Sequence, residues 1–199
     1  VSRGAGEIGL DPGLCPRATV VIMAKPLHPS PPVLSRDGVS LTVANTRRNL
    51  PEALSPQIKS TNFLNNILAK RESIAAGTFD SLFLNWKDEL TECTVSNLFF
   101  ISGKTLHTPA LDCGILDGIT RTIVMTLAQE EGVPVREGHY HLADLQRAEE
   151  CFLTNTSMEI MPVNRVDSFA IGDGRPGSLI RRLQTRFADS RTRFLEPTS

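Results

Sequence analysis

The stretch Asn97-Leu-Phe-Phe-Ile-Ser-Gly-Lys-Thr-Leu-His107 decides the fold class, because it predicts two strands joined by a tight turn. Residues 97–101 and residues 104–107 lie on either side of Ser102-Gly103, a dipeptide that is typical of a hairpin turn. A connection this short makes its two strands antiparallel. The sequence therefore predicts a sheet that contains antiparallel pairs.

Further strands and helices are predicted on both sides of this hairpin. Apolar or alternating runs predict strands at residues 39–43, 81–86, 133–136, 151–153 and 160–166. Pro162 makes the last of them an edge or bulged strand. Helical patterns occupy residues 57–76, the segment between Gly118 and Gly132, and residues 142–149 and 178–188. The stripe that the first helix is predicted to bury consists of Ile58, Leu64, Ile67, Leu68 and Ala75.

Strands outnumber helices in this pattern and occur in neighbouring pairs. That favours an α+β fold, with a mixed or antiparallel sheet or a barrel-like core and packed helices, over a doubly wound parallel sheet. Residues 1–37 are rich in glycine and proline and leave room for one strand, at residues 18–24. We interpret 1–37 as an interdomain linker with a first strand, and 38–199 as one larger domain from the later part of a longer protein.

The composition is that of a globular protein. The 199 residues include 21 Lys and Arg against 22 Asp and Glu, and 40% are hydrophobic. A net charge of −1 argues against an obligate nucleic-acid binder, and no apolar run approaches the roughly 18 residues that span a bilayer. The cysteines form no CxxC pair, so we expect free thiols and a cytoplasmic location. They are Cys15, Cys93, Cys113 and Cys151.

Two motifs are discounted for lack of context. Gly4-Ala-Gly-Glu-Ile-Gly9 has the GxGxxG spacing, but no strand precedes it and Pro12 blocks a following helix, so we expect a glycine-rich turn. His139-Tyr-His141 places two imidazoles on one face of a strand, but no third ligand lies nearby in the sequence. We therefore expect no metal site.

Lys59 is the first candidate for chemistry. It is predicted to lie in the first turn of the helix at residues 57–76, beside Ile58. The free N–H groups and the dipole of a helix start disfavour a cation, so the neutral amine needed for a Schiff base is favoured there. The alternative is a surface lysine at a frayed helix start.

Three further segments supply complementary groups. Glu92, between Leu90 and Cys93, is a carboxylate in an apolar setting that needs a partner, such as a protonated heteroaromatic nitrogen. Gly118-Ile-Thr120 opens a helix and forms an anion site, and Thr154-Asn-Thr-Ser157 is a second hydroxyl-rich turn. An amine, a carboxylate and two phosphate-binding turns are what a pyridoxal-phosphate enzyme requires.

Five segments in the same order resemble the class IV aminotransferases, pyridoxal-phosphate enzymes of fold type IV. They are Arg3-Gly-Ala-Gly-Glu-Ile-Gly-Leu-Asp-Pro12, Ile58-Lys-Ser-Thr-Asn-Phe-Leu-Asn-Asn-Ile-Leu-Ala-Lys70, Thr91-Glu92 with Asn97-Leu-Phe99, Gly114-Ile-Leu-Asp-Gly-Ile-Thr-Arg121, and Phe152-Leu-Thr-Asn-Thr-Ser-Met-Glu-Ile-Met-Pro-Val163. The likeness covers nearly the whole chain.

The resemblance implies a role for each cofactor-binding residue. Lys59 would hold the cofactor as a Schiff base and move the proton at the substrate α-carbon. Glu92 would keep the pyridine nitrogen protonated, and Leu116 would pack on the ring. Ile119 and Thr120 would bind the phosphate.

The resemblance also implies a substrate site and a missing part. Thr156 would contact the phosphate from the other side, and Thr156 with Ser157 would offer N–H groups to a substrate carboxylate. The partners implied are an amino acid, a 2-oxo acid and a second copy in a homodimer, with no nucleic acid or membrane. The family's N-terminal small lobe, with a phosphate-binding arginine, is expected to be absent from this chain.

The activity implied is that of an amino acid aminotransferase, with the branched-chain type as one form. Glu92-Cys93 and Thr154-Asn155 lean toward the alternative, an aminodeoxychorismate lyase that eliminates pyruvate to give 4-aminobenzoate. D-amino acid transamination and an inactive truncated domain stay open as well, as do the substrate side chain and stereochemistry.

Overall fold

A mixed sheet forms the centre of the molecule in the computed structural model, which describes residues 1–193. Within that range the strands are β1 (Val39–Val43), β2 (Asp80–Leu84), β3 (Leu90–Cys93), β4 (Asn97–Ser102), β5 (Thr105–Pro109), β6 (Val135–Gly138), β7 (Glu150–Asn155), β8 (Glu159–Val166) and β9 (Phe169–Ala170). The α-helices are α1 (Pro32–Asp37), α2 (Leu64–Ala76), α3 (Ile119–Glu130), α4 (Leu142–Gln146) and α5 (Ser178–Ser190).

Six of the strands close into a ring, in the order β3-β2-β1-β8-β7-β4, and the pairing of Glu92 with Asn97 joins β4 back to β3. Strand β1 runs parallel to both β2 and β8, whereas the other pairs in the ring are antiparallel. The predicted hairpin is confirmed, since Ile101 pairs with Leu106 across its turn. The α+β class with a barrel-like core is therefore confirmed.

Two apolar clusters lie on opposite sides of the sheet, and strand β4 contributes to both. Leu98 and Phe100 join side chains from every strand of the ring in the first cluster. Phe99 and Ile101 point the other way and pack with α3 and α5, where Phe99 stacks on Phe152 at 5.0 Å between ring centroids. The alternation along β4 is that of a strand buried on both faces.

The prediction of a strand at residues 18–24 is wrong. Val20, Val21 and Ile22 are exposed, and Thr19 makes only an isolated bridge to Ser2. The β-branched run has the propensity of a strand, but among residues 1–193 no ladder forms along it. The short helix α1 was missed, and residues 194–199 of the predicted larger domain lie outside the described residues.

The first long helix begins later than predicted, at Leu64 instead of residue 57. Two serine hydroxyls explain this, because Ser55 Oγ accepts from Gln57 N at 3.3 Å and Ser60 Oγ accepts from Asn62 N at 3.2 Å. Such local bonds compete with the helical pattern. Lys59 therefore lies in an irregular segment before the helix, so its predicted place in the first helical turn is wrong.

The predicted buried stripe of this helix is also wrong, although its predicted end at residue 76 is confirmed, with Gly77 following in the left-handed conformation. Helix α2 instead buries Ala69 and Ser73, and Ser81 Oγ donates to the Ala69 carbonyl at 2.6 Å. Small residues let the helix lie close to β2, so the larger apolar side chains project outward. The predicted stripe is mostly exposed, with Ile58 and Leu64 each more than 60% accessible.

Strand β8 lies between β1 and β7, so of the two alternatives predicted from Pro162, an edge strand or a bulged strand, the bulged strand is confirmed. The β1–β8 register shifts between Val39 and Ser40, opposite the segment that contains the proline.

The cysteines within residues 1–193 are free, and three of them, Cys93, Cys113 and Cys151, are buried. Over the same residues, no helix is both long and apolar enough to cross a membrane.

Candidate active site

A cleft of about 460 Å³ opens at one end of the ring. Its walls come from five segments of the chain, within residues 48–49, 54–66, 92–97, 116–120 and 154–156. Six of the seven site residues predicted from the sequence line this cleft: Lys59, Glu92, Leu116, Ile119, Thr120 and Thr156. Segments that are up to about a hundred residues apart in the chain thus meet around one space.

Glu92 lies within strand β3, with 5% of its surface exposed. Its Oε1 accepts from Arg48 Nη2 at 2.5 Å, and its Oε2 accepts from Asn97 Nδ2 at 3.1 Å and from Leu116 N at 3.0 Å. A carboxylate has about four acceptor positions, so one remains. Burial raises the pKa of Glu92 to about 7, against the opposing effect of the Arg48 charge.

Arg48 is a residue of the cleft that sequence reasoning missed. It is 8% exposed, its Nε donates to the Gly114 carbonyl at 3.1 Å, and its guanidinium lies 5.4 Å from the ring centroid of Phe83. Burial lowers the pKa of Arg48, whereas Glu92 raises it. The need of a buried carboxylate for a cationic partner was a signal, but Arg48 lies 44 residues away in the chain.

Helix α3 begins at the cleft, as predicted. Gly118 is its N-cap without a side-chain hydrogen bond, and Ile119 and Thr120 form its first turn. Thr120 is buried and Ile119 is exposed. The free N–H groups of this turn and the positive end of the helix dipole suit an anion such as a phosphate.

Gly118→Ala is expected to lower the free energy of unfolding by about 1–3 kcal/mol. A methyl group there would lie 2.2 Å from Asn97 Oδ1, which is too close for contact. Because Asn97 also donates to Glu92 and to the Leu116 carbonyl, cofactor binding is expected to weaken as well. Urea unfolding and a cofactor titration of the full-length protein measure both effects.

The control is Gly9→Ala, whose methyl group would meet the flexible end of the Leu14 side chain in an exposed segment. Equal unfolding midpoints for the two variants would contradict the close contact at Gly118.

The turn between β7 and β8 brings hydroxyls to the cleft. Thr156 lines it, but Ser157 does not. The Ser157 N–H donates to Asn155 Oδ1 at 2.9 Å, as does the Met158 N–H at 2.7 Å. A contact between the Ser157 N–H and a substrate carboxylate would therefore require that bond to be exchanged.

Two buried hydroxyls in the cleft have no hydrogen-bond partner among residues 1–193. They belong to Ser96 and Thr154, which are 5% and 1% exposed. Buried polar groups are normally paired, so a polar ligand is expected in this space. A phosphorylated, nitrogen-containing ring fits the donor set: hydroxyls and a helix start for the anion, and Glu92 for a protonated nitrogen.

Lys59 is exposed in the irregular segment before α2 and borders the same cleft. It is close enough to Glu92 for its charge to lower the pKa of that carboxyl. The cleft thus holds a primary amine and a buried carboxylate together.

Comparison with known proteins agrees with this geometry. Residues 1–166 match the family described as Amino-transferase class IV. A putative branched-chain-amino-acid aminotransferase of Methanocaldococcus jannaschii is 38% identical over 194 residues, covering 98% of this chain and 66% of that protein. An aminodeoxychorismate lyase of Bacillus subtilis is 33% identical over 172 residues, covering 86% of this chain and 57% of that protein. Relatives described as D-alanine aminotransferases also match.

Among solved structures, the branched-chain amino acid aminotransferase of Escherichia coli superposes with a TM-score of 0.77 at 30% identity. The match covers 79% of this chain and 52% of that one. A further branched-chain amino acid aminotransferase, solved with pyridoxamine 5'-phosphate, superposes with a TM-score of 0.76 at 29% identity over 78% of this chain and 52% of that one. The chain thus spans about half to two thirds of the length of these proteins.

Proposed function

The chain belongs to the class IV aminotransferases, and on this premise we propose that the whole protein is a pyridoxal-phosphate-dependent amino acid aminotransferase of the branched-chain type. The observation that carries the proposal is the buried carboxylate of Glu92 in one cleft with Lys59 and the first turn of α3. The solved relative with pyridoxamine 5'-phosphate supports the choice of cofactor.

When bound, pyridoxal phosphate supplies electron withdrawal from the α-carbon of an amino acid. Lys59 Nζ would attach the cofactor covalently, then take the proton from the α-carbon and return it. The remaining acceptor position of Glu92 would take the hydrogen bond of the ring N–H, while Arg48 holds the carboxylate in place. Leu116 would pack against the ring.

The phosphate would be held at the other end of the cleft. The Ile119 and Thr120 N–H groups and the Thr120 hydroxyl would bind it, with Thr156 on the opposite side. The unpaired hydroxyls of Ser96 and Thr154 would also gain partners there. Each such bond to a charged oxygen is stronger than one to a neutral group, so the phosphate would anchor the cofactor.

The second candidate is an aminodeoxychorismate lyase. Thr154-Asn155 and Glu92-Cys93 favour it, as does the Bacillus subtilis relative. Both reactions begin with removal of the α-proton, and they differ in whether the amino group is then transferred to a 2-oxo acid or pyruvate is eliminated. The matched relatives extend beyond this chain, so further residues of the substrate pocket belong to the whole protein.

An assay of the full-length protein separates these activities. We expect transfer of the amino group from branched-chain L-amino acids to 2-oxoglutarate, followed as glutamate formed. Release of pyruvate and 4-aminobenzoate from aminodeoxychorismate, without transfer, would establish the lyase instead, and transfer from D-alanine alone would establish the D-amino acid enzyme. Cofactor binding with none of these reactions would refute the proposed activity.

We also propose that the protein is a cytosolic homodimer, as the family resemblance implies. Light scattering of the full-length protein would give twice the mass of one chain, and a monomeric mass would refute it.

A further inference from the structure

A glutamate, a cysteine and a histidine from three segments meet at the short 3-10 turn Leu111–Cys113. His139 Nδ1 lies 3.1 Å from Glu89 Oε1 and 3.5 Å from Cys113 Sγ. All three potential ligand atoms lie within 4.8 Å of one another. Residue spacing does not indicate this cluster, because Glu89 lies 50 residues before His139.

The spacing matches that of a tetrahedral metal site. With bonds of about 2.0–2.3 Å, neighbouring ligand atoms of a tetrahedral zinc site lie about 3.3–3.8 Å apart. Of the two measured distances from His139 Nδ1, the one to Cys113 falls in this range and the one to Glu89 just below it. Thiolate, imidazole and carboxylate are also the three ligand types that Zn²⁺ takes in proteins.

Two neighbouring side chains contact members of the cluster in the way that hydrogen-bond partners orient metal ligands. Asp112 Oδ2 lies 3.3 Å from His139 Nε2, so a carboxylate faces the ring nitrogen that points away from the cluster. Asn85 Nδ2 donates to Glu89 Oε2 at 2.7 Å and leaves Oε1 facing the histidine. A carboxylate on the second nitrogen of a ligating histidine is the usual arrangement at zinc sites.

The burial of the cluster suits a cation that enters from solvent. Cys113 is 1% exposed, whereas 45% of the His139 side chain and 72% of the Asp112 side chain are exposed. Three protein ligands leave a fourth position for water on the open side.

We propose that Glu89, Cys113 and His139 form a binding site for a divalent cation of the zinc class, separate from the cofactor cleft. On binding, the metal–Sγ bond forms as the S–H bond of Cys113 breaks, and the proton passes to solvent. Glu89 supplies a carboxylate and His139 the neutral imidazole, so the site balances the cation's charge.

The site has a structural consequence for the cleft. Cys113 is followed by Gly114, whose carbonyl accepts from Arg48, and then by Leu116, whose N–H donates to Glu92. A bound cation would fix the start of this segment, so it is expected to stabilise the fold without touching the reacting atoms.

The test is a titration of chelator-treated full-length protein with Zn²⁺ by calorimetry, and with Co²⁺ by absorption spectroscopy. We expect about one equivalent per chain and a thiolate-to-cobalt charge-transfer band. Cys113→Ser and His139→Gln are each expected to weaken Zn²⁺ binding by at least about tenfold and to abolish the band or reduce it. Zn²⁺ is also expected to raise the melting temperature of the wild type.

The matched control is His141→Gln, which removes the other imidazole of the same tripeptide, bonded through Nδ1 to the Asp88 carbonyl. It is expected to bind Zn²⁺ as the wild type does. His139→Gln changes a half-exposed side chain, so it tests the site even if Cys113→Ser fails to fold. Absence of binding, a Co²⁺ spectrum without a thiolate band, or binding unchanged by His139→Gln would overturn the proposal.

Discussion

Lys59→Ala is expected to abolish covalent attachment of pyridoxal phosphate and to lower turnover of the full-length enzyme by about 10³-fold or more. Lys59 borders the cleft that also holds Glu92, so its loss removes both the attachment point and the proposed proton carrier. Its side chain is exposed in an irregular segment, so the unfolding midpoint is expected to stay the same. Borohydride reduction followed by mass spectrometry measures the attachment.

Lys87→Ala is the matched control. Lys87 is an exposed lysine in the turn after β2, with its Nζ 4.9 Å from the ring centroid of Trp86, and it does not line the cleft. This variant is expected to keep both the adduct and the activity. A borohydride-reducible adduct that persists in Lys59→Ala would show that another lysine carries the cofactor.

Glu92→Ala is expected to lower the free energy of unfolding by about 3–5 kcal/mol, because it leaves the guanidinium of Arg48 buried without its anionic partner. It is also expected to slow proton abstraction far more than it weakens cofactor binding, since the ring nitrogen would lose its acceptor. Chemical denaturation gives the first effect, and single-turnover kinetics with a cofactor titration give the second.

The double variant Glu92→Ala/Arg48→Met separates the two roles. Removing both charges from the interior is expected to recover most of the lost stability, whereas turnover is expected to stay low. If turnover recovers together with stability, Glu92 has no role in the chemistry. Equal losses in cofactor affinity and in proton abstraction for Glu92→Ala would likewise count against the assigned role.

The sequence predicted correctly those features that depend on residues close together in the chain. The hairpin around Ser102-Gly103 and the start of α3 at Gly118 depend on residues that are neighbours in the chain, and both predictions are confirmed. The turn after β7 likewise depends on residues that are neighbours in the chain. The start of α3 and the turn after β7 line the cleft, and they bring Ile119, Thr120 and Thr156 to it.

The errors arise where distant parts of the chain decide the outcome. Residues 18–24 have the propensity of a strand, but a strand needs a neighbour that only the fold can supply. The outward-facing side of α2 was misassigned because close packing on β2 favours Ala69 and Ser73 over larger side chains. Arg48 reaches Glu92 across 44 residues, a pairing that no spacing rule indicates.

The contact between Glu92 and Asn97 has a consequence for how the protein matures. These two residues form the pairing that seals β3 to β4, and the Asn97 amide also donates to the carboxylate in the cleft. Closure of the ring therefore also brings the Asn97 amide to the Glu92 carboxylate, so a folding intermediate with an open ring would lack this contact in the cleft.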